Sequence, residues 1–397
     1  MKKYIIAIMA LVSLSACGSR YGAGVPTEYN VLLDAAMEKA GDNAAELMAA
    51  LRETTKAQRE GMAFLIAYMP ESDLMAIDKD ILLPNVEYAY MARDNFPWAG
   101  TLPKDIFLNE VLPYASVDET RENWRPVFFE MFSGRVSEAP DMRAAIDSVN
   151  RNLARDVQVD YNTAREKTNQ SPSESMRQHM ASCTGLSILL VDAFRSVGIP
   201  ARFAGTPAWH DDRGNHSWVE VWMDGRWYFT EFYPEELDRA WFLADAGRAD
   251  PSDREHSVFA VSYKPTGDWF PMVWSPDSRE VHGVNVSERY VTTWNDLSAE
   301  REEAGSHVPV RFVMYKDKKN EGRSEGRVAV NVDVFRGADQ MGGGRTSGPF
   351  KDMNDTLVFQ LGKNAVYTFR YSDEDGNPKE VTAPVGEDPV TVTAYLR

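Results

Sequence analysis

The sequence predicts an α+β protein in three parts: a helical N-terminal region, a middle region of one helix followed by antiparallel strands, and a C-terminal β-sandwich. Three observations carry this. Apolar positions recur at helical spacing from Glu28 to Ala67 with no proline among them. Between 171 and 230 one helical run is followed by alternating or apolar runs parted by glycine and aspartate turns. Beyond 305, six short alternating segments recur at regular spacing. With 397 residues, 43% of them hydrophobic, the chain is long enough for two or three cores.

Residues 1–16, "MKKYIIAIMALVSLSA", run from two lysines through an apolar stretch to small residues, the order of a secretory signal peptide, and 17–27 read as a tether. "LSAC" at 14–17 resembles the lipobox of bacterial lipoproteins. That resemblance implies a lipid on Cys17 and a place in the cell envelope, with Gly18 pointing to the outer membrane. The alternative is an ordinary cleaved leader with Cys17 free. No other apolar run approaches the roughly 20 residues of a membrane span. A net charge of −17 with no basic block argues against nucleic acid as a partner.

Residues 28–156 are expected to be helical. Two helices are predicted over 28–67, then short helices and fixed turns where prolines 70, 84, 97, 103, 113 and 126 alternate with aromatics, then a helix from about Asp141 to Asp156. The core is expected over 157–300. "TGLSILLVDAFRSVG" predicts an amphipathic helix that begins at Cys183 and stops at Gly198. "IPARFAGTPAW", "HSWVEVWMDG" and "RWYFTEFY" predict antiparallel strands, with a hairpin at Asp224–Gly225. "SVFAVSYK" and "GDWFPMVW" read as further strands, and "SAEREEAGS" at 298–306 as a charged connector. The sandwich is expected over 305–397, with "GADQMGGGRTSG" as a mobile loop. No helix follows that run, so it is not read as a phosphate cradle.

If Cys17 carries lipid, Cys183 has no partner within the chain, and a leftover thiol in an oxidising compartment is either paired between chains or used as a reagent. A helix N-terminus activates thiols and offers free backbone N–H groups. His216 in "GNHSWVEVW" supplies a base on a strand, and Glu231 a third group to orient the imidazole. Pairing across the hairpin sets Val219 against Thr230 and Glu231 opposite Trp218, which leaves open whether Glu231 faces His216. Alone, each residue has a plainer reading: a buried thiol, a structural histidine, a solvated glutamate. Their order and setting favour catalysis. The six histidines form no HxxxH or HxH ligand pair.

"SCTGLSILLVDAFRSVGIPARFAGT" followed by "NHSWVEVWMDGRWYFTE" resembles the transglutaminase-like superfamily. The resemblance implies a papain-like core with Cys183 as nucleophile, His216 as general base and no cofactor or metal. The third position, usually aspartate, falls on Glu231, with Glu235 an outside candidate. "YKPTG" and "WFPMVW" at 263–274 are similar to features of extracytoplasmic relatives and extend the expected kinship over 28–296. The implied chemistry is acyl transfer through a thioester. Hydrolysis of peptide, protein or peptidoglycan-stem amides is the first expectation, and a catalytically silent binding or assembly module the alternative. A thiol close to the imidazole on the floor of an open groove separates the two. Trp209, Trp218, Trp222, Trp227 and Tyr228 are candidates to line the cleft, about half of them expected in the core because strand residues alternate faces.

Overall fold

A computed structural model describes residues 19–210, 214–234, 236–240, 242–302 and 307–397. Residues 1–18, with the segment read as a signal peptide and Cys17, and Glu235 lie outside the described residues. Those described form two units, divided between Leu83 and Pro84.

The first unit has three helices where the pattern predicts two: α1 (Asn30–Ala40), α2 (Ala44–Glu53) and α3 (Arg59–Tyr68), followed by α4 (Glu71–Ala76). The first break falls at Gly41, whose φ of 54° suits a residue without Cβ. The second falls at Thr54, which turns extended at ψ 138°. Leu33, Leu47 and Leu65 are wholly buried. The division between the units lies inside α5 (Lys79–Asn95).

The second unit continues with short helices, as the prolines predict: α6 (Pro97–Gly100), α7 (Lys104–Ile106), α8 (Trp124–Val136) and α9 (Met142–Val157). Asp141 caps α9 by accepting the Ala144 N–H at 2.9 Å. A two-stranded parallel pair, β1 (Asp160–Tyr161) with β2 (Met180–Ala181), encloses α10 (Pro172–Gln178) and leads into α11 (Cys183–Ser196). The sheet beside α11 runs β5-β4-β3-β6-β7, all antiparallel. Its strands are β3 (Ala201–Thr206), β4 (His216–Met223), β5 (Arg226–Thr230), β6 (Phe259–Ser262) and β7 (His282–Asn285). Val219 pairs with Thr230, as the hairpin predicts. Helices α12 (Leu243–Ala246) and α13 (Ser287–Glu302) complete this part.

Three expectations change here. Helix α11 is not amphipathic: every residue from Thr184 to Ser196 is buried, because α8, α9, β3 and β4 surround it. "GDWFPMVW" is not a strand, since Pro271 cannot donate to a ladder; Trp269 makes one bridge to His282, and "HGVN" is the strand. The supposed connector belongs to α13 up to Glu302.

The C-terminal strands are β8 (His307–Tyr315), β9 (Asn331–Arg336), β10 (Asp339–Arg345), β11 (Leu357–Gly362), β12 (Ala365–Ser372), β13 (Pro378–Val385) and β14 (Val390–Tyr395). They form two sheets, β10-β9-β12-β13 and β11-β8-β14, around Val310, Phe312, Val334, Phe359 and Phe369. The six predicted strands are joined by a seventh, because the glycine run expected as a mobile loop is β10. A Cβ on Gly344 would meet Leu357 at 2.4 Å and one on Gly343 would meet Asp333 at 2.6 Å, so the glycines make room for these side chains of neighbouring strands. A buried bidentate pair, Arg311 Nη2 to both Asp245 oxygens at 2.6 Å, fixes the sandwich to the core.

Behind α11, buried Arg125 of α8 donates to Asn85 Oδ1 and to the carbonyls of Val111, Leu112, Pro113 and Arg195. Truncation would take this donor from Asn85 Oδ1 and from the Val111 and Pro113 carbonyls, whereas Leu112 O keeps Asn85 Nδ2 and Arg195 O keeps the Gly198 N–H. Arg125→Ala should therefore cost about 3–5 kcal/mol of stability, read as a lower urea midpoint. A loss under about 1 kcal/mol would show that the loop carbonyls find other donors.

Candidate active site

Cys183 stands at the first position of α11. The cap before it, Ser182, accepts the Gly185 N–H at 3.1 Å and donates its hydroxyl to Thr168 O at 2.6 Å. This fixes the turn that presents the thiol, and leaves the N–H groups of the first helical turn pointing the same way. Gly185 is needed beneath it, because a Cβ there would come within 2.9 Å of the Ala181 methyl. Cys183 is a free, half-buried thiol.

His216 opens β4. Its imidazole is buried against Trp209, Trp218 and Phe242, at centroid distances of 6.2, 5.8 and 5.3 Å. Strand and helix are tied next to the two reactive groups: Thr184 Oγ1 lies 3.3 Å from Ser217 Oγ, one residue after each of them. Glu231 follows the last residue of β5. Thr230 Oγ1 accepts from Asn150 Nδ2 at 2.8 Å, and the glutamate, no longer bound to the ladder's alternation, sets Oε2 3.5 Å from His216 Nε2. That answers the question of sidedness: the strand ends before parity excludes Glu231. With the carboxylate at Nε2, the nitrogen left for the thiol is Nδ1.

Burial pushes the His216 pKa down, but hydrogen bonds with Cys183 and Glu231 and their charges override it, raising the value from 6.5 to about 10. The imidazolium is thus stabilised by the fold. Its contribution to stability is whole below pH 6.5 and is lost as pH rises through about 10.

A cavity of about 290 Å³ opens over these groups, lined among others by Tyr161, Cys183, His216, Glu231, Tyr233 and Asp352. The sequence reading missed Tyr161 and Asp352. Tyr161 is carried by β1 beside Ala181 of β2, two residues before Cys183. Burial raises its phenol pKa, with the charges of Asp352 and Cys183 adding to the effect, and its hydroxyl hydrogen-bonds Asp352. Asp352 comes from the loop between β10 and β11. Arg327 donates to the carbonyls of Asp352 and Asp355, and Asn354 Nδ2 donates to Asn215 O at 2.9 Å, next to His216. Cys183, His216 and Asp352 each place one donor atom within 4.8 Å of the others. Nothing local in the sequence signals this, since Asp352 belongs to a separate sheet sandwich. The expected aromatic lining is largely replaced: Trp209 and Trp218 are buried and stacked on each other at 6.2 Å, and the cavity's aromatics are Tyr161, Phe232 and Tyr233.

Residues 130–232 match the family described as the transglutaminase-like superfamily, Transglut_core. The thiol, imidazole and glutamate gathered above all fall within that span, and this part of the chain is a transglutaminase-like domain. Two of the solved structures to which the chain is similar are as follows. One is a candidate cysteine protease from Cytophaga hutchinsonii, at 14% identity and a TM-score of 0.28, covering 35% of this chain and 45% of that one. The other is red sea bream transglutaminase, at 10% identity and a TM-score of 0.28, covering 66% of this chain and 57% of that one. The chain thus covers less than two thirds of either. No curated protein matches it.

Two outcomes are expected. At about pH 6, iodoacetamide should alkylate Cys183 at least about tenfold faster in the wild type than in His216→Ala, with the gap narrowing as pH approaches 10, where the imidazolium is lost. Equal rates at pH 6 would mean the pair is not assembled. A Cβ on Gly205 would come within 2.7 Å of His216 O. Gly205→Ala should therefore displace the histidine strand, costing about 1–3 kcal/mol in a melt and slowing alkylation as well.

Proposed function

We propose that this protein is a thiol-dependent amide hydrolase acting on peptides or proteins, with Cys183 as nucleophile, His216 as acid–base and Glu231 as the orienting acid. The observation that carries this is the arrangement at one cavity: a half-buried thiol at a helix N-terminus, an imidazole beside it, and a carboxylate on the imidazole's far nitrogen. The thiolate attacks the amide carbonyl to form a C–S bond. The imidazolium gives its proton to the departing amine as the C–N bond breaks, and water, deprotonated by the same imidazole, then releases the acid from the thioester. The Cys183 backbone N–H, at the start of α11, is placed to bind the oxyanion.

A thiol half-open to a cavity, near its base, argues against the silent binding module. Glu231, Asp352 and Asp355 face the cavity, and the one lysine there, Lys351, lies 3.6 Å from Asp160 Oδ1. That acidic lining favours neutral or cationic peptides over carboxylate-rich cell-wall stems. The leader-like segment ending at Cys17 supports an envelope location with a lipid anchor on that cysteine.

The test is a peptide library digested in H₂¹⁸O with an added alkylamine and read by mass spectrometry. Products carrying one ¹⁸O are expected, whereas amine-tagged products would make the enzyme a transamidase. Cys183→Ala should lower kcat/KM by roughly a thousandfold or more, and Glu231→Gln should lower kcat with little change in KM. If wild type and Cys183→Ala are equally inert while the thiol stays unreactive, the binding-module reading replaces this one.

A further inference from the structure

We infer that Cys183, His216 and Asp352 together form a binding site for a zinc-class divalent cation, and that occupation of this site silences the thiol. The inference rests on the same thiol–imidazole pair as the proposed hydrolase, but not on turnover.

The donors are a thiol, an imidazole and a carboxylate, each with one atom within 4.8 Å of the other two. Zinc takes this donor set in a tetrahedron with bonds of about 2.0–2.3 Å, which places neighbouring donors about 3.5 Å apart, so closure requires movements of about an ångström. The surroundings are those of a metal site. The far imidazole nitrogen faces the Glu231 carboxylate, which fixes the ring and leaves the other nitrogen for the cation. Asp352 is oriented by the Tyr161 hydroxyl, and its loop is held by buried Arg327 and by Asn354. The fourth position faces the cavity and is open to water.

Electrostatics gives Asp352 a role that hydrolysis does not. Beside a nucleophilic thiolate, a further carboxylate only adds repulsion. A divalent cation between them converts that repulsion into coordination. Binding to the thiolate–imidazolium pair releases its one shared proton, from the imidazolium, to solvent and changes no oxidation state. The bound sulfur has its charge drawn into the metal bond and its imidazole partner no longer carries a proton for the leaving amine, so its attack on an amide is suppressed. The cation also joins the core to the sandwich, because Asp352 belongs to the loop before β11.

The experiment is a titration of the reduced full chain with Co²⁺, following the thiolate-to-cobalt charge-transfer band and the visible bands of a tetrahedral site. One equivalent is expected to bind, to be displaced by Zn²⁺, and to lose the charge-transfer band in Cys183→Ser. Asp352→Asn, at a half-exposed position and checked for folding by circular dichroism, should bind at least about tenfold more weakly. Stoichiometric Zn²⁺ should slow Cys183 alkylation at least about tenfold in the wild type. Absence of the charge-transfer band, or equal affinity in folded Asp352→Asn, overturns the site. A chain that binds cobalt yet cleaves no amide would sink the hydrolase and leave this inference standing. One that cleaves amides and binds no cobalt would do the reverse.

Discussion

The site depends on one helix being buried on all sides. Helix α11 has no solvent face, so its position is set by α8, α9, β3 and β4 together, and Cys183 is held where that helix meets the cavity. Such burial has a cost, because the helix carries Asp192 and Arg195 into the interior. Arg195 meets it by donating to the carbonyls of Glu110, Ala115 and Ala201. Asp192 meets it differently. Burial, reinforced by Glu119, pushes the pKa of its carboxyl well above the usual range against the pull of Arg195 and Arg125. The end of α11 opposite the thiol is thus anchored by loop carbonyls, while its N-terminus keeps for chemistry the N–H groups that the Ser182 cap does not take.

The imidazole is governed from two sides. A box of aromatic rings excludes water and opposes its charge, and the thiol and Glu231 restore that charge from opposite nitrogens. Tertiary ties stand beside both groups: Thr184 to Ser217 next to the thiol and imidazole, and Asn150 to Thr230 next to Glu231. Two of the aromatic residues that seem in the sequence to belong to a substrate cleft, Trp209 and Trp218, serve instead to hold the base. The cleft itself is lined by a tyrosine from the short parallel ribbon and acidic residues from the sandwich loop. The sandwich thereby contributes to the site through Asp352, and Arg311–Asp245 fixes it to the core that it completes.

By itself the sequence determined the elements whose patterns are local. The α+β class, the helix starting at Cys183, the His216 strand, the 219–230 register and six sandwich strands all follow from spacing, turn residues and caps, which act over a few residues. It misjudged elements whose character depends on distant partners. The burial of α11 on every face is invisible where only one face looks apolar, and the glycine run reads as a loop until Leu357 and Asp333 are seen to require the space its missing side chains leave. Only the tertiary structure decided that Glu231 reaches His216, because that depends on where β5 ends. Only it brought Tyr161 and Asp352 to the thiol, because contacts between residues so far apart in sequence leave no local pattern to read. Chemistry-bearing residue types are legible along the chain; their encounter is fixed by packing.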